Sequence, residues 1–151
     1  MPAGLTVELA ASGAIAAALL ADIDQARSIV FRTGYEDIGH LGLDVARSFL
    51  EPVIGTPDRA RQFERFILSL HASDLLDAEP ELAKLAAPTL VVWGTDDIFF
   101  DLSWAYWLKE TIPGVTEVTE IDGARLFFPD ERAGALAPLL RRHWNSRQHA
   151  Q

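Results

Sequence analysis

The sequence predicts an α/β fold in which a helical first half is followed by a β-α-β-α unit. Three observations carry that expectation. Apolar residues recur at spacings of three and four from the start to about Leu85, and no strand pattern interrupts them. From Ala87 onward, short runs rich in β-branched residues alternate with helical ones. At 151 residues, 49% hydrophobic and 23% charged, the chain matches an ordinary globular domain and can assemble a core.

The first segment, Leu9 to Ala21, is an Ala-rich run that reads as a helix of small residues. It follows Glu8, lacks a basic leading region, and is shorter than the roughly 20 apolar residues that span a bilayer, so neither a signal segment nor a membrane anchor is expected. A helix from Asp24 is expected to bury Ile29 and Val30, and another covers Asp44 to Leu50 before Pro52 and Gly55 break it. Thr56 is a natural N-cap, with Pro57 at the first helical position and Asp58 near the helix's positive end. Ala60, Phe63, Phe66, Ile67 and Leu70 then share one face of the helix that follows.

The texture changes at Ala87. Pro88 opens Thr89-Leu-Val-Val-Trp93, a continuous apolar run suited to a strand buried on both faces and ended by Gly94. A helix is expected from about Leu102 to Ile112, closed by Pro113 and Gly114, then a strand over Thr116 to Ile121 and a turn at Asp122-Gly123. The last helix carries Leu136, Leu139, Leu140 and Trp144 on one side, with Pro138 in its first turn or at a kink. A strand-helix-strand order implies parallel strands. Such a pair is too narrow to be a sheet by itself, because parallel sheets are normally wider and covered on both faces.

The segment from Pro88 to Asp97, Pro-Thr-Leu-Val-Val-Trp-Gly-Thr-Asp-Asp, resembles the penultimate core strand of the α/β-hydrolase family with its Gly-x-x-Asp turn. Ile112-Pro-Gly114, a last strand, Gly123-Ala124-Arg125 and the acidic Glu131 continue that family's C-terminal pattern. The resemblance implies a partial α/β-hydrolase fold, with residues 1–85 as a helical cap region, 86–147 as the C-terminal core segment and 148–151 as a tail. It places Asp97 at the catalytic-acid position, where the family orients a histidine. The histidine position itself falls on Leu126. Of the four histidines, His40 and His71 lie in the helical half, while His143 and His149 lie on or beyond the last helix.

The family's nucleophile stands in a Gly-x-Ser-x-Gly or Gly-x-Asp-x-Gly elbow. The glycines, at 4, 13, 34, 39, 42, 55, 94, 114, 123 and 134, include no pair with that spacing. In the family's order the elbow precedes the cap, so the chain is expected to start after it. The family reaction, hydrolysis of an ester-like, epoxide or haloalkane molecule, is therefore not expected from this chain alone. Without an elbow or a base in the histidine loop, it reads as a truncated hydrolase or pseudoenzyme.

The alternative is a non-catalytic module that pairs through an exposed strand edge at Thr89–Trp93, or one half of a split hydrolase. Expected partners are a missing N-terminal half or a second copy, with a small apolar molecule under the cap as a further option. Trp93, Phe99, Phe100, Trp104, Tyr106 and Trp107 either line that pocket or pack a core, and Arg125, Phe127 and Phe128 beside Leu126 leave the same choice open. A net charge of −9, with only Arg141-Arg142 as a basic pair, argues against nucleic acid and anionic membranes. The absence of cysteine removes disulfides, thiolate metal sites and cysteine nucleophiles. No cofactor and no metal are expected, and the location expected is cytoplasmic.

Overall fold

The computed structural model describes residues 21–71 and 77–148, which fall into two compact units. It is a mixed α/β chain whose helices accompany a two-stranded parallel sheet. The expected helix at Leu9–Ala21 lies, except for Ala21, outside the described residues, and so does His149.

One unit, residues 21–32 with 38–71, is helical, and no strand occurs among its described residues. Helix α1 (Ile23–Phe31) is capped by Asp22, whose side chain accepts from the Gln25 amide at 3.0 Å. A 3₁₀ turn, Ile38–His40, leads to α2 (Leu43–Ile54), and α3 (Pro57–Ser69) follows from the Thr56 cap, which accepts from the Arg59 amide at 3.2 Å. Ala26 and Ala46 are fully buried, Leu41 and Leu50 nearly so. Small side chains at the first two positions let α1 and α2 approach closely. Arg27 fixes the intervening turn by donating from Nη1 to the Leu41 carbonyl at 2.8 Å.

Three expectations for this unit change. Ile29 and Val30 are exposed, because α1 turns the Ala26 side inward. The second helix does not stop before Pro52 but runs through it to Ile54. Proline in the last turn removes a single ladder bond, and Gly55 closes the helix by donating to the Glu51 carbonyl at 2.8 Å. The face of α3 that carries Phe63, Phe66 and Leu70 exists, yet all three side chains are exposed.

The other unit joins residues 33–37 to 77–148. Its elements are α4 (Glu79–Leu82), β1 (Thr89–Gly94), α5 (Ser103–Thr111), β2 (Val115–Ile121), α6 (Phe128–Glu131) and α7 (Ala133–Gln148). Strand β1 pairs parallel with β2, with Thr89 opposite Val115, Val91 opposite Val118 and Gly94 opposite Ile121, and an irregularity between Thr89 and Val91. Val91, Ala105, Ile112 and Val115 form the core on one face, with Leu82, Trp93, Leu102, Leu108 and Val118 packed around it. Asp101 starts α5, since its carboxylate accepts the Ser103 amide at 2.9 Å; hydrogen bonding by Ser103 holds this carboxyl below its ordinary range.

Two glycines permit close chain crossings at opposite ends of the sheet. A Cβ on Gly114 would stand 1.8 Å from the Ala87 carbonyl oxygen, where the chain enters β1. A Cβ on Gly94 would stand 2.3 Å from the Ala124 carbonyl oxygen, where the loop after β2 folds over the end of β1. Only glycine fits at either point.

Burial of β1 is narrower than its apolar run predicts. Val91 and Gly94 are buried, whereas Thr89, Leu90, Val92 and Trp93 are half-buried, because among the described residues the sheet has no third strand and the helices cover only part of each face. Pro138 lies beyond the first turn of α7, at its sixth residue, and the helix continues past it to Gln148.

Candidate functional site

The carboxyl ends of parallel strands are where α/β sheets usually place their chemistry, so the turns after β1 and β2 come first. The two turns are fastened together. The Thr95 amide donates to the Ile121 carbonyl at 3.1 Å, the Asp96 amide to the Ala124 carbonyl at 3.0 Å, and the Gly123 amide to Thr95 Oγ1 at 2.8 Å. Asp97 and Leu126 thus stand in two loops that share one anchored end.

Asp97 is half-buried and its Oδ1 accepts from the amides of Phe99 at 2.8 Å and Phe100 at 3.1 Å. This is an aspartate closing its own turn, the local geometry that favours Asp in such loops. Leu126 is half-buried and supplies no titratable group. The arrangement therefore sets a carboxylate near the strand ends without a base beside it in the second loop.

The loop at 125–132 instead holds the segment Thr33–Asp37. The Phe127 amide donates to the Gly34 carbonyl at 2.9 Å, and Arg125 Nη1 to the Tyr35 carbonyl at 3.1 Å. Both oxygens of Glu131 are taken by backbone, Oε2 by the Glu36 amide at 2.9 Å and Oε1 by the Asp37 amide at 2.8 Å. Arg132 pairs with Glu36 through Nη2 and donates from Nη1 to the Asp122 carbonyl at 2.6 Å. The Glu36 hydrogen bond holds the proton of the Arg132 guanidinium still more firmly than usual.

Tyr35 is the anchor of this segment. It is buried, its ring lies 4.8 Å from that of Phe127, and its hydroxyl donates to Asp130 Oδ2 at 3.0 Å. Burial, then the Asp130 bond and the neighbouring carboxylate charges, pushes the hydroxyl from 10.0 up to about 12. Gly34 is required beside it, because a Cβ there would lie 2.5 Å from the Phe127 ring. Arg125, Phe127 and Glu131 were placed in the right loop by sequence, but their partner segment was not. A Gly-Tyr-Glu-Asp stretch carries no periodicity and no motif that ties it to a loop some ninety positions away, such as the Phe127 loop.

Among the described residues the aromatic side chains sit in different surroundings. Trp93 packs on the core and donates from Nε1 to the Phe100 carbonyl at 3.0 Å, while Phe100, Trp104 and Tyr106 are exposed. Trp104 and Trp107 meet edge to face at 5.8 Å, and Tyr106 donates to Glu120, which raises the Tyr106 hydroxyl above its ordinary value. A recess of about 280 Å³ does occur at the opposite ends of the strands, lined by Thr89, Leu90, Thr116, Glu117, Leu139 and His143 among others. His143 is thus separated from Asp97 by the length of β1. His40 and His71 are exposed in the helical unit.

No protein-family model, no curated protein and no solved structure matches the chain. Its function has therefore to be read from its own surfaces. Among the described residues no group of three or more His, Cys, Asp or Glu is arranged to hold a metal ion, and no helix is long and apolar enough to cross a membrane.

Two outcomes follow for the loops. Because folded Tyr35 keeps its proton where the unfolded chain has lost it, stability is full below pH 10 and falls as pH rises towards about 12. Tyr35→Phe is expected to reduce that fall, measured as the urea midpoint between pH 9 and 12, and to cost about 1 kcal/mol at neutral pH. Asp97→Ala is expected to cost about 1–2 kcal/mol, whereas Asp97→Asn keeps the acceptor and most of the stability. Equal losses in the two variants would contradict the turn-closing role.

Proposed function

We propose that the chain is a non-catalytic interaction module that acts through the free edge of β1. The carrying observation is a parallel sheet of only two strands whose β1 leaves one row of backbone groups without a strand partner among the described residues. Thr89 donates to Gly114 and Thr95 to Ile121, so by strand alternation the odd positions face β2 and Leu90 and Val92 face outward. No residue from Thr89 to Thr95 is charged; Thr89 Oγ1 donates to the Ala87 carbonyl at 2.8 Å, Thr95 Oγ1 accepts from Gly123, and Trp93 turns its indole to Phe100. An apolar, uncharged edge of this kind is the form that accepts another strand.

A second reading is favoured by the fastening of the two strand-end turns, Gly94 under Ala124 and Thr95 against Gly123. It takes the chain as a degenerate α/β-hydrolase half, with a cap at 1–85, core at 86–147 and tail at 148–151. Asp97 then occupies the family's acid position and Leu126 the place of its histidine, and a separate polypeptide would supply the remaining strands. Both readings give β1 the same role.

Proline replaces one N–H and leaves the rest of a strand in place when that N–H has no partner. Val92→Pro is therefore expected to fold cooperatively, close to a Val92→Ala control, while Val91→Pro breaks the ladder and unfolds. A Val92→Pro chain that fails to fold while Val92→Ala folds would sink the edge reading, since the Val92 amide would already be serving the chain. For the chemistry, no turnover of p-nitrophenyl esters, epoxides or haloalkanes is expected from the chain alone. Activity above background that Asp97→Ala abolishes would show the module to be catalytic.

A further inference from the structure

We infer that the strand accepted by β1 is β1 of a second copy, antiparallel, with the two-fold axis at Val91. The inference rests on the free edge proposed above and goes further by naming its occupant and register. Strand alternation turns Pro88, Leu90, Val92 and Gly94 towards the free side. Leu90 and Val92 each offer an N–H and a carbonyl, and among the described residues no turn or loop bond uses them. Pro88 offers a carbonyl but has no N–H. Gly94 offers an N–H, but its carbonyl already accepts from the Asp97 amide at 3.4 Å.

These two irregular ends complement each other. With the axis at Val91, Leu90 of one copy faces Val92 of the other and the two residues exchange both backbone bonds, as outward residues of antiparallel strands do. Pro88 then faces Gly94 of the other copy. The Gly94 amide donates to the Pro88 carbonyl, and the N–H that Pro88 lacks would have met a carbonyl that is already occupied. Every outward donor and acceptor from Pro88 to Gly94 finds a use. Moving the axis to Val92 would set Leu90 against Gly94 and ask the occupied Gly94 carbonyl for a second bond.

Charge selects the same edge. In a chain of net charge −9, most surfaces that meet their own copy bring like charges together. From Pro88 to Gly94 there is no charged residue, so this edge meets itself without that penalty. Strand β2 carries Glu117 and Glu120, a charge pattern that blocks edge pairing. Side chains agree as well. Val91 would lie beside its own copy on the face covered by α5, while Leu90 and Val92 pair on the face where Leu90 and Leu139 line a common recess. The product is one continuous sheet in the order β2-β1-β1-β2, closed by a two-fold axis.

The natural absence of cysteine makes the test clean. Full-length Leu90→Cys and Val92→Cys chains are oxidised separately and then as a mixture, and the covalent products are read by mass. The expected result is a mixed disulfide dimer from the mixture and little dimer from either variant alone. The facing pair lies at about 5.5 Å between Cα atoms, within disulfide reach, whereas each residue and its own counterpart are diagonal neighbours at about 7–8 Å. Sedimentation equilibrium of the unmodified chain is expected to give twice the monomer mass, reduced to monomer by Val92→Lys and by Val92→Pro.

Self-crosslinking of Val92→Cys, or dimers that persist in Val92→Lys, would overturn the register. A monomer at all concentrations in which Val92→Pro still folds would overturn the second copy but leave the free edge. A Val92→Pro chain that cannot fold while Val92→Ala can would remove both.

Discussion

A backbone in extended conformation points hydrogen-bonding groups to two sides, and among the described residues β1 has a strand partner on one of them. The core follows from the paired side. Pairing with β2 requires a crossover, the crossover is α5, and α5 brings Ala105 and Ile112 over Val91 and Val115. The recess and the exposed apolar residues follow from the other side, because a sheet this narrow gives its covering helices too little to cover. Leu85, Ile98, Phe100, Trp104, Tyr106 and Trp144 are all exposed large side chains of this unit. At about 25 cal/mol for each Å² of apolar surface removed from water, area left in solvent is stabilisation that the isolated unit does not have.

The loops at the carboxyl ends of the strands divide their work. The turn after β1 satisfies itself, with Asp97 accepting from Phe99 and Phe100. The loop after β2 looks outward and holds Thr33–Asp37 through Arg125, Phe127, Asp130, Glu131 and Arg132. Position 126, where the α/β-hydrolase resemblance sets a histidine, thus sits inside a loop committed to binding its own chain. Leucine suits such a place, since it adds burial and demands no hydrogen-bond partner.

The order strand, helix, strand, helix was legible in the sequence, because continuous β-branched runs and Gly-Pro punctuation are local signals. The Thr56 cap with Pro57 was legible for the same reason. Burial was less so. Ile29 and Val30 share a helix with Ala26, and which side turns inward depends on how closely α2 approaches, a tertiary fact that periodicity along one helix does not contain. The run at Thr89–Trp93 promised burial on both faces, but burial depends on how many strands stand beside it. Asp97 was readable as a turn residue or as a catalytic acid; its Oδ1 accepts two backbone amides and closes the turn, a geometry that does not choose between the two readings. Tyr35 was not legible at all, since its meaning lies in Phe127 and Asp130.

The Tyr35 contact also carries an entropic cost set by its distance along the chain. Tyr35 and Asp130 are 95 positions apart, and closing a loop of that length in an unfolded chain costs about 4 kcal/mol in entropy by the logarithmic scaling. The β1-α5-β2 unit closes over a far shorter stretch and can form first, presenting the 125–132 loop as a finished seat. During synthesis the Gly34-Tyr35 segment emerges early and waits while the chain that will receive it is still being made. Over that interval the side chain that the native fold buries is exposed to solvent, and its burial waits on a loop ninety positions further along the chain.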